Sequence, residues 1–487
     1  MSARCHEGDG VKAAGLPCAA PAAVAGAARG PLAGVSLAPP PAGLAGAYAV
    51  QLLRSLGAVL APAPAQGGQA ALEAAQDWAA SGLAALTGEP AGPPLMGPAA
   101  IASCARGALL ALAALAPALP PGLDGAALLC ERAALMGLGR RGRVSANGSC
   151  HLLRAADGYV AINLAREDDW SLLPALLQGH RVGSVAELSA AVARAPAAEL
   201  VARGRIMGLP VAAARPDGVA PPWCTIGASA RPLQGGRWRA APPTVVDLSA
   251  LWAGPLCSHL LGLAGARVIK VESPARPDGA RRGHRAFHAL LNAGKDSVAL
   301  DIAGQRGREQ LRQLLQRADI VIEGSRPRAL QQLGIVAEEF IARRPGMTWV
   351  SITGYGRSEP CGQWVAFGDD AAVAAGVAAA CADPPLFCGD ALADPLTGLH
   401  AALAALAFHR GGGGVLLDVP LCGVTAHCLG FAPAVPRAAT VAAAAGWCLE
   451  VGAGRLAVRA PAARMPLAEA AALGAHNARW LGSGAAC

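Results

Sequence analysis

The stretch "TVVDLSALWAGPLCSHLLGLAGARVIKVES" (244–273) decides the fold class, because it predicts a strand, a helix and a second strand in direct succession. "TVVDLS" (244–249) is typical of a buried strand, and "GPLCSHLLGLAG" (254–265) of a helix that ends at Gly265. Further strands are predicted at 297–302, 319–324 and 347–356, with an amphipathic helix at 304–318. Strands that alternate with helices indicate an α/β fold, with a parallel sheet covered by helices on both faces.

Ligands of such sheets bind beyond the carboxyl ends of the strands. The residues to inspect are therefore those that end or follow the predicted strands, namely Ser249, Lys270–Glu272, Arg326 and Gly354–Tyr355. Lysine is rare in this chain: Lys12, Lys270 and Lys295 are three of 41 basic residues. Two of the three lie close together in this part of the chain, which marks the region for attention.

Composition excludes several classes of protein. The chain has 487 residues, enough for two or three domains, and its most apolar run (108–119) is short for a membrane span and contains a proline. The net charge of +8 comes from scattered arginines, so we expect no nucleic-acid partner. The 14 cysteines include no CxxC pair, so we predict no zinc site and no disulfide framework, and a cytoplasmic location.

The first half of the chain resembles a degenerate repeat of the second half. "PPLMGPAAIASCARGALLALAAL" (93–115) aligns without gaps on "PPLFCGDALADPLTGLHAALAAL" (384–406), which places Ser103 where Asp394 stands. "HLLRAADGYVAINL" (151–164) predicts a β-hairpin that opens a small α+β domain. We predict the following units: disordered 1–28, degenerate α/β lobe 29–145, small α+β domain 146–230, linker 231–242, α/β domain 243–430, and C-terminal remnant 431–487.

Five blocks, in order, resemble the class III CoA-transferases, the CaiB/BaiF family typified by formyl-CoA and carnitine-CoA transferases. They are "VVDLSALWAGPLCSHLLGLAGARVIKVESP", "LNAGKDSVALDI", "ADIVIEGSRPRALQQLGI", "VSITGYGRSEP" and "GDALADPLTGLHAALAALAFHRGGGGVLLDV". The resemblance implies a Rossmann-like CoA-binding domain plus a small α+β domain. It also implies that acyl-CoA and small carboxylic acids are the substrates, with coenzyme A carried between them and no metal or membrane involved.

The resemblance implies that Asp394 is the nucleophile, which attacks the acyl-CoA thioester and passes through an acyl-aspartyl anhydride and an aspartyl-CoA thioester. A carboxylate can act as a covalent nucleophile, and we expect this one to be ionised at neutral pH, so that it needs no general base. A helix N-cap is the alternative role of Asp394. For the phosphates of CoA, we expect contacts from Lys270, Lys295 and Arg326, with Ser325 and Gly354 beside them; surface charge is the alternative for each cation.

Two other functions remain open. Acyl-CoA racemases of the same fold pair the aspartate with a histidine, but Gly368 occupies the matching place here. An inactive CoA-binding or scaffold protein is favoured by Trp252, which stands where several relatives have a smaller polar residue. Asp369 and Asp370 could assist catalysis, but we expect them to be solvated loop residues.

Family members form interlocked homodimers. The two incomplete copies therefore predict a fused pseudo-dimer within one chain, although a homodimer of the chain remains possible. In the pseudo-dimer, the small domain walls a single site beside Asp394. We expect the first copy to be silent, because Ser103 lacks a charge and has no evident base near it.

Overall fold

The computed structural model describes residues 30–61, 69–97, 100–215, 219–233, 242–431 and 438–482. The segment predicted to be disordered, 1–28, and most of the predicted linker, 231–242, lie outside the described residues.

A seven-stranded sheet forms the centre of the molecule, and helices pack on it. Its strands are β6 (Thr225–Ser229), β7 (Thr244–Asp247), β8 (Arg267–Glu272), β9 (Asp296–Ala299), β10 (Ile320–Glu323), β11 (Thr348–Thr353) and β12 (Val415–Pro420). The helices of this part are α8 (Ala253–Leu263), α9 (Arg285–Asn292), α10 (Gln305–Arg317), α11 (Pro327–Gln332), α12 (Ala337–Arg343), α13 (Gly368–Ala374), α14 (Val377–Cys381), α15 (Ala393–Arg410) and α16 (Leu421–Leu429).

The strand order in this sheet is β6-β12-β11-β10-β7-β8-β9, and every pairing is parallel except that between β12 and β6. The order runs outward in both directions from the neighbours β7 and β10. Their carboxyl ends therefore form a topological switch point, which is where open α/β sheets bind ligands. The mostly parallel sheet confirms the predicted α/β fold class, and the antiparallel edge strand β6 is an addition that the sequence did not indicate.

An N-terminal lobe of helices packs against the central part. It contains α1 (Leu44–Ser55), α2 (Ala70–Ser81), α3 (Ile101–Leu115) and α4 (Glu131–Met136), with the two-residue strands β1 (Ser36–Leu37) and β2 (Val59–Leu60). The Ala/Leu helix α15 is buried nearly all round, as expected for a helix that is apolar on every face. It lies between α8, α3 and the sheet, so that side chains of both halves of the chain form one continuous core.

The predicted hairpin is present as β3 (Cys150–Arg154) and β4 (Tyr159–Asn163), joined by the turn at Asp157-Gly158. β5 (Val211–Ala213) completes a three-stranded sheet, and α5 (Asp169–Leu176), α6 (Val185–Val192) and α7 (Ala197–Met207) cover it. This α+β unit has its own apolar core, which contains side chains such as Leu173, Leu188 and Leu200.

The C-terminal segment contains an antiparallel sheet, β13 (Ala439–Ala443), β14 (Gly446–Val451) and β15 (Gly454–Ala457), and the short helix α17 (Asn477–Leu481). It contacts both halves of the chain. β14 and β15 lie against α2, whereas the imidazole Nδ1 of His476 accepts a hydrogen bond from the backbone N–H of Ser297 in β9. Within the described residues, no helix is long and apolar enough to cross a membrane.

The shared core generates a prediction about the isolated second half. A fragment of residues 240–487 exposes the faces of α8, α15 and α16 that the N-terminal lobe covers, because the core side chains belong to one cluster. We expect this fragment to aggregate or to lose cooperative thermal unfolding, whereas the full chain unfolds in a sharp transition. Size-exclusion chromatography and calorimetry would measure this; a monomeric fragment with a native-like melting transition would contradict it.

Candidate active site

Asp394 is the second residue of α15 and lies in its first turn. The residue before the helix is Leu392, and no side chain caps this end, so the alternative role of Asp394 as an N-cap does not apply. The carboxylate is half-buried and lies against the start of α13. Asp394 is thus fixed at the start of the helix while part of the residue remains exposed.

Gly368 gives the Asp394 carboxylate its space. A Cβ placed on Gly368 would lie 2.7 Å from Asp394 Oδ2 and 2.4 Å from the carbonyl oxygen of Ala391. Only glycine therefore fits at this position without a shift of backbone. The same close approach brings the Gly368 backbone N–H toward the carboxylate, where it stabilises the charged form.

The neighbourhood of Asp394 is rich in buried carboxylates. Asp369 and Asp370 lie buried in the first turn of α13 and are not solvated loop residues, which corrects the expectation from the sequence. Asp369 accepts hydrogen bonds from the backbone N–H of Ala391 (2.8 Å) and from Asn147 (3.1 Å). Asp370 accepts from Asn163 (2.9 Å) and from the backbone N–H of Phe367 (3.0 Å).

These carboxyl groups hold their protons more tightly than exposed ones. Burial raises the pKa of Asp394 to about 7; Arg132 opposes this rise, and the charges of Asp369 and Asp390 reinforce it. Burial also raises the pKa of Asp370 to about 7, and burial together with the charge of Asp390 raises that of Asp369. The expectation of a fully ionised nucleophile at neutral pH therefore does not hold, because burial raises the pKa of Asp394 to about 7.

Arg132, on α4 of the N-terminal lobe, reaches this cluster. Its Nε and Nη2 donate hydrogen bonds of 2.7 and 2.6 Å to the two oxygens of Asp390, whose side chain is fully buried. Its guanidinium also stacks 4.9 Å above the ring of Trp252. Burial opposes the charge, yet hydrogen bonding to Asp390 and attraction to Asp369 and Asp394 hold the pKa of Arg132 above its usual range.

Two loops that meet at this site contain left-handed residues other than glycine. Leu251 has φ +69°, and Ala391 has φ +42°. A side chain makes such a conformation unfavourable by roughly 1–3 kcal/mol, so surrounding contacts must hold it. Asp278 accepts a hydrogen bond from the Leu251 N–H, and Asp369 accepts one from the Ala391 N–H. Both loops are therefore fixed by carboxylates.

Lys270 and Lys295 lie beneath the loop between β7 and α8 and are buried. The Lys270 ammonium donates to the Ser249 carbonyl (2.5 Å) and to Asp278 (2.9 Å). The Lys295 ammonium donates to Ser258 (2.7 Å) and pairs with Asp247 at 3.2 Å. Since their ammonium groups point into the protein, a phosphate contact by either lysine stays a prediction that would require these pairs to open.

Arg326, Ser325 and Gly354 lie at the carboxyl ends of β10 and β11. Arg326 is exposed, Ser325 and Gly354 are half-buried, and Gly324 approaches Ser249 across the switch point. The Arg326 guanidinium also lies beside the small α+β unit, since a Cβ on Gly208 would be 3.8 Å from its Nη1. These three residues therefore lie at the carboxyl ends of two neighbouring strands, apart from the interior where the two lysines lie.

The first-half counterpart of the site is closed. Ser103 is fully buried, and its hydroxyl donates to the Asp77 carboxylate at 2.5 Å. This corrects the expectation that no base lies near Ser103. Asp77 also pairs with Arg106, which binds Asp124 through two further hydrogen bonds of 2.9 and 2.8 Å. The network occupies the polar atoms around Ser103.

Sequence reasoning missed Arg132, Asp390, Asn147 and Asn163. Asp390 stands four residues before Asp394 in "GDALADP", so a second carboxylate was visible in the motif. The other three come from the N-terminal lobe and the small unit. No spacing in the sequence signals that they lie beside Asp394, because their approach depends on how the two halves pack.

The placement of the cations generates a prediction that separates Lys270 from Arg326. Lys270→Met leaves Asp278 as a buried, unpaired carboxylate, which lowers the free energy of unfolding by about 3–5 kcal/mol. Arg326→Met removes an exposed charge, so it leaves the stability unchanged and weakens CoA binding by about 1–3 kcal/mol. Denaturant unfolding and calorimetric titration measure the two effects. Equal stability losses in both variants would contradict the assignment.

Comparison with known proteins supports a family assignment for the second half. Residues 243–445 match the model of CoA-transferase family III. A succinyl-CoA–D-citramalate CoA-transferase from Chloroflexus aurantiacus is 32% identical over 189 residues, which are 36% of this chain and 47% of that protein. A formyl-CoA:oxalate CoA-transferase from Escherichia coli is 31% identical over 191 residues, covering 37% of this chain and 44% of that protein.

Solved structures give partial matches. The hypothetical protein Rv3272 from Mycobacterium tuberculosis has 30% identity and a TM-score of 0.35, with 40% of this chain and 57% of that chain covered. A CaiB/BaiF family protein from Brucella suis has 26% identity and a TM-score of 0.38, with 42% and 64% covered. The chain spans about half the length of the curated relatives it matches. Residues 243–445 of this chain are therefore similar to the class III CoA-transferases.

Proposed function

We propose that the chain transfers CoA from an acyl-CoA donor to a small carboxylic acid, with Asp394 as the covalent nucleophile. The observation that carries the proposal is the Asp394 carboxylate itself. It is held against Gly368 with one side exposed, and its pKa near 7 leaves an ionised fraction at neutral pH. The named relatives are CoA-transferases, which supports the same class of reaction.

The proposed reaction begins with attack by an Asp394 oxygen on the thioester carbonyl. A carbon–oxygen bond forms, the carbon–sulfur bond breaks, and CoA leaves as a thiolate. The thiolate then attacks the Asp394 carbonyl of the mixed anhydride, which releases the donor acid as a carboxylate and leaves an aspartyl-CoA thioester. Together, these two steps move CoA from the donor acyl group to Asp394, and they neither consume nor release a proton.

The second half of the reaction reverses the order. The acceptor carboxylate attacks the aspartyl-CoA thioester, which forms a new anhydride and again expels the CoA thiolate. Attack of that thiolate on the acceptor carbonyl gives the product thioester and regenerates the Asp394 carboxylate. Thiolate leaving groups depart without general-acid help, so the scheme requires no Ser/His/Asp or Cys/His set.

The charge state of Asp394 sets the expected pH dependence of the first step. Attack requires the ionised form, and the folded-state pKa is raised to about 7. The rate of adduct formation therefore rises with pH below about 7 and levels off above it. A pKa near the working pH keeps the carboxylate basic enough to be a good nucleophile while part of it stays ionised.

A CoA-binding scaffold without turnover is the second candidate, and one observation favours it. The Arg132–Trp252 stack lies beside the carboxylates, and the buried Trp252 has no hydrogen-bond partner for its indole N–H within the described residues. The racemase alternative gains no support, since a side chain at Gly368 would collide with Asp394.

The chain arrangement we propose is an intrachain pseudo-dimer with one site. Asn147 and Asn163 of the small unit bond Asp369 and Asp370, and Arg132 of the N-terminal lobe bonds Asp390. These contacts support a site that both halves of the chain build. The proposed units remain 29–145, 146–230, 243–430 and 431–487, and the acyl-CoA donor and acceptor acid are its proposed small-molecule partners.

Replacing the nucleophile tests the function directly. Asp394→Asn keeps the shape of the side chain but removes its nucleophilic oxygen anion, so we expect no covalent adduct after mixing with an acyl-CoA. CoA affinity should change little. Intact-mass spectrometry of the acid-quenched chain detects the adduct, and calorimetry measures the affinity.

The matched control is Ser103→Ala, at the corresponding position of the first half. Its hydroxyl lies in a closed network, so adduct formation should stay at the wild-type level. An adduct that persists in Asp394→Asn, beyond what deamidation explains, would remove Asp394 from the nucleophile role. Tight CoA binding by the wild-type chain with no adduct from any acyl-CoA donor would favour the scaffold.

A further inference from the structure

The N-terminal lobe places a cation among carboxylates that belong to the other half of the chain. Arg132 and Asp390 form a two-bond pair in which the aspartate side chain is fully buried and the arginine side chain is 18% exposed. Asp369 and Asp394 also lie close enough to Arg132 to interact with its charge. The pair therefore lies at the junction of α4, α13 and α15.

We propose that Arg132 is a positioning residue that favours the ionised form of Asp394, acting from the N-terminal lobe without contacting the acyl group. This inference rests on the proposed role of Asp394. The bidentate fork to Asp390 fixes the guanidinium in place, and the Trp252 ring covers one of its faces, so that its charge is held beside the cluster rather than in water.

Within the part of the chain that the structure describes, the other groups around Asp394 do not supply this charge. On α13, Asp369 and Asp370 are acidic, and their partners Asn147 and Asn163 are neutral amides. Beside Arg132 on α4, Glu131 is paired with Arg464 of the C-terminal segment, and that arginine also contacts His259, whose pKa burial lowers to about 3. Burial raises the pKa of the neighbouring Cys130 thiol, so it is neutral, and Cys388 adds a further buried thiol.

A fixed cation is needed beside Asp394 because the site has low polarity. A buried carboxylate among other carboxylates would stay protonated through neutral pH, because desolvation and like charges both disfavour its ionised form. A fixed guanidinium within the cluster opposes both effects. Arg132 thus gives the N-terminal lobe a role in the chemistry, even though the Ser103 network closes that lobe's own counterpart site.

The test measures the ionisation of Asp394 without any substrate. A water-soluble carbodiimide with an amine modifies protonated carboxyl groups, and fragmentation of the peptide that contains Asp394 locates the label by mass spectrometry. In the wild-type full-length chain, labelling of Asp394 should be half-maximal near pH 7. In Arg132→Met, the midpoint should move upward by about one to three pH units. Arg132→Lys keeps the charge and should restore most of the wild-type midpoint.

Two further variants guard against a folding artefact. Arg464→Met breaks the neighbouring two-bond pair between Arg464 and Glu131, which also ties the N-terminal lobe to the second half, and should leave the midpoint unchanged. Arg132→Gln keeps a donor for Asp390 without the charge, and it replaces Arg132→Met if that variant does not fold. An unmoved midpoint in a folded Arg132→Met or Arg132→Gln chain overturns the inference, as does an equal shift in Arg464→Met.

The design separates this inference from the proposed function. A shift of the labelling midpoint in a chain that forms no acyl adduct would support the role of Arg132 and refute the transferase. If the wild-type chain forms the adduct but the labelling midpoint of Asp394 is the same in Arg132→Met, the transferase is supported and the role of Arg132 is refuted. Where both hold, the pH profile of adduct formation in Arg132→Met should move with the labelling midpoint, and its rate at pH 7 should fall by roughly fivefold for a shift of one pH unit and by more for a larger shift.

Discussion

The site depends on one electrostatic constraint: several carboxylates are buried together, and a fixed cation must oppose their mutual repulsion. The charged form of Arg132 is favoured by three carboxylates, those of Asp369, Asp390 and Asp394. Asp390 also holds the guanidinium through two hydrogen bonds. Removing either partner of such a pair leaves an uncompensated buried charge, which is strongly unfavourable. Because Arg132 belongs to the N-terminal lobe, the constraint also ties the two halves of the chain together.

A second set of buried charges holds the loop between β7 and α8 in place. Lys270 bonds the Ser249 carbonyl and Asp278, and Asp278 in turn holds the strained Leu251. These bonds fix the loop that ends at Trp252, the residue on which Arg132 stacks. The Lys270–Asp278 pair therefore holds the same short loop that Arg132, paired with Asp390, contacts through Trp252. This loop lies at the topological switch point.

The α/β part could be predicted from the sequence because its signals are local. The strand at 244–247, the helix at 253–263 and the strand at 267–272 each follow from an apolar run of the right length and a glycine that ends the helix. Asp394 was found through its motif. Its protonation could not be found in this way, since the pKa depends on burial and on Arg132, which is 262 residues away in sequence.

The cations show the same division. The sequence identified Lys270 and Lys295 as unusual, but the reason for their selection is burial beside Asp278 and Asp247, where a compact ammonium fits. Arg326 follows β10 and is exposed at the carboxyl end of the sheet. Motif position alone does not distinguish a side chain that braces a loop from one that faces a ligand.

The central claim is that the two halves of one chain build a single CoA site. Native mass spectrometry of the full-length chain, titrated with CoA, tests this most directly, because it counts bound molecules and chains in the same spectrum. The account predicts one CoA for each chain at saturation, whatever the oligomeric state. Two molecules per chain would show that the first half keeps its own site, and none would show that the carboxyl ends of the central strands do not bind CoA.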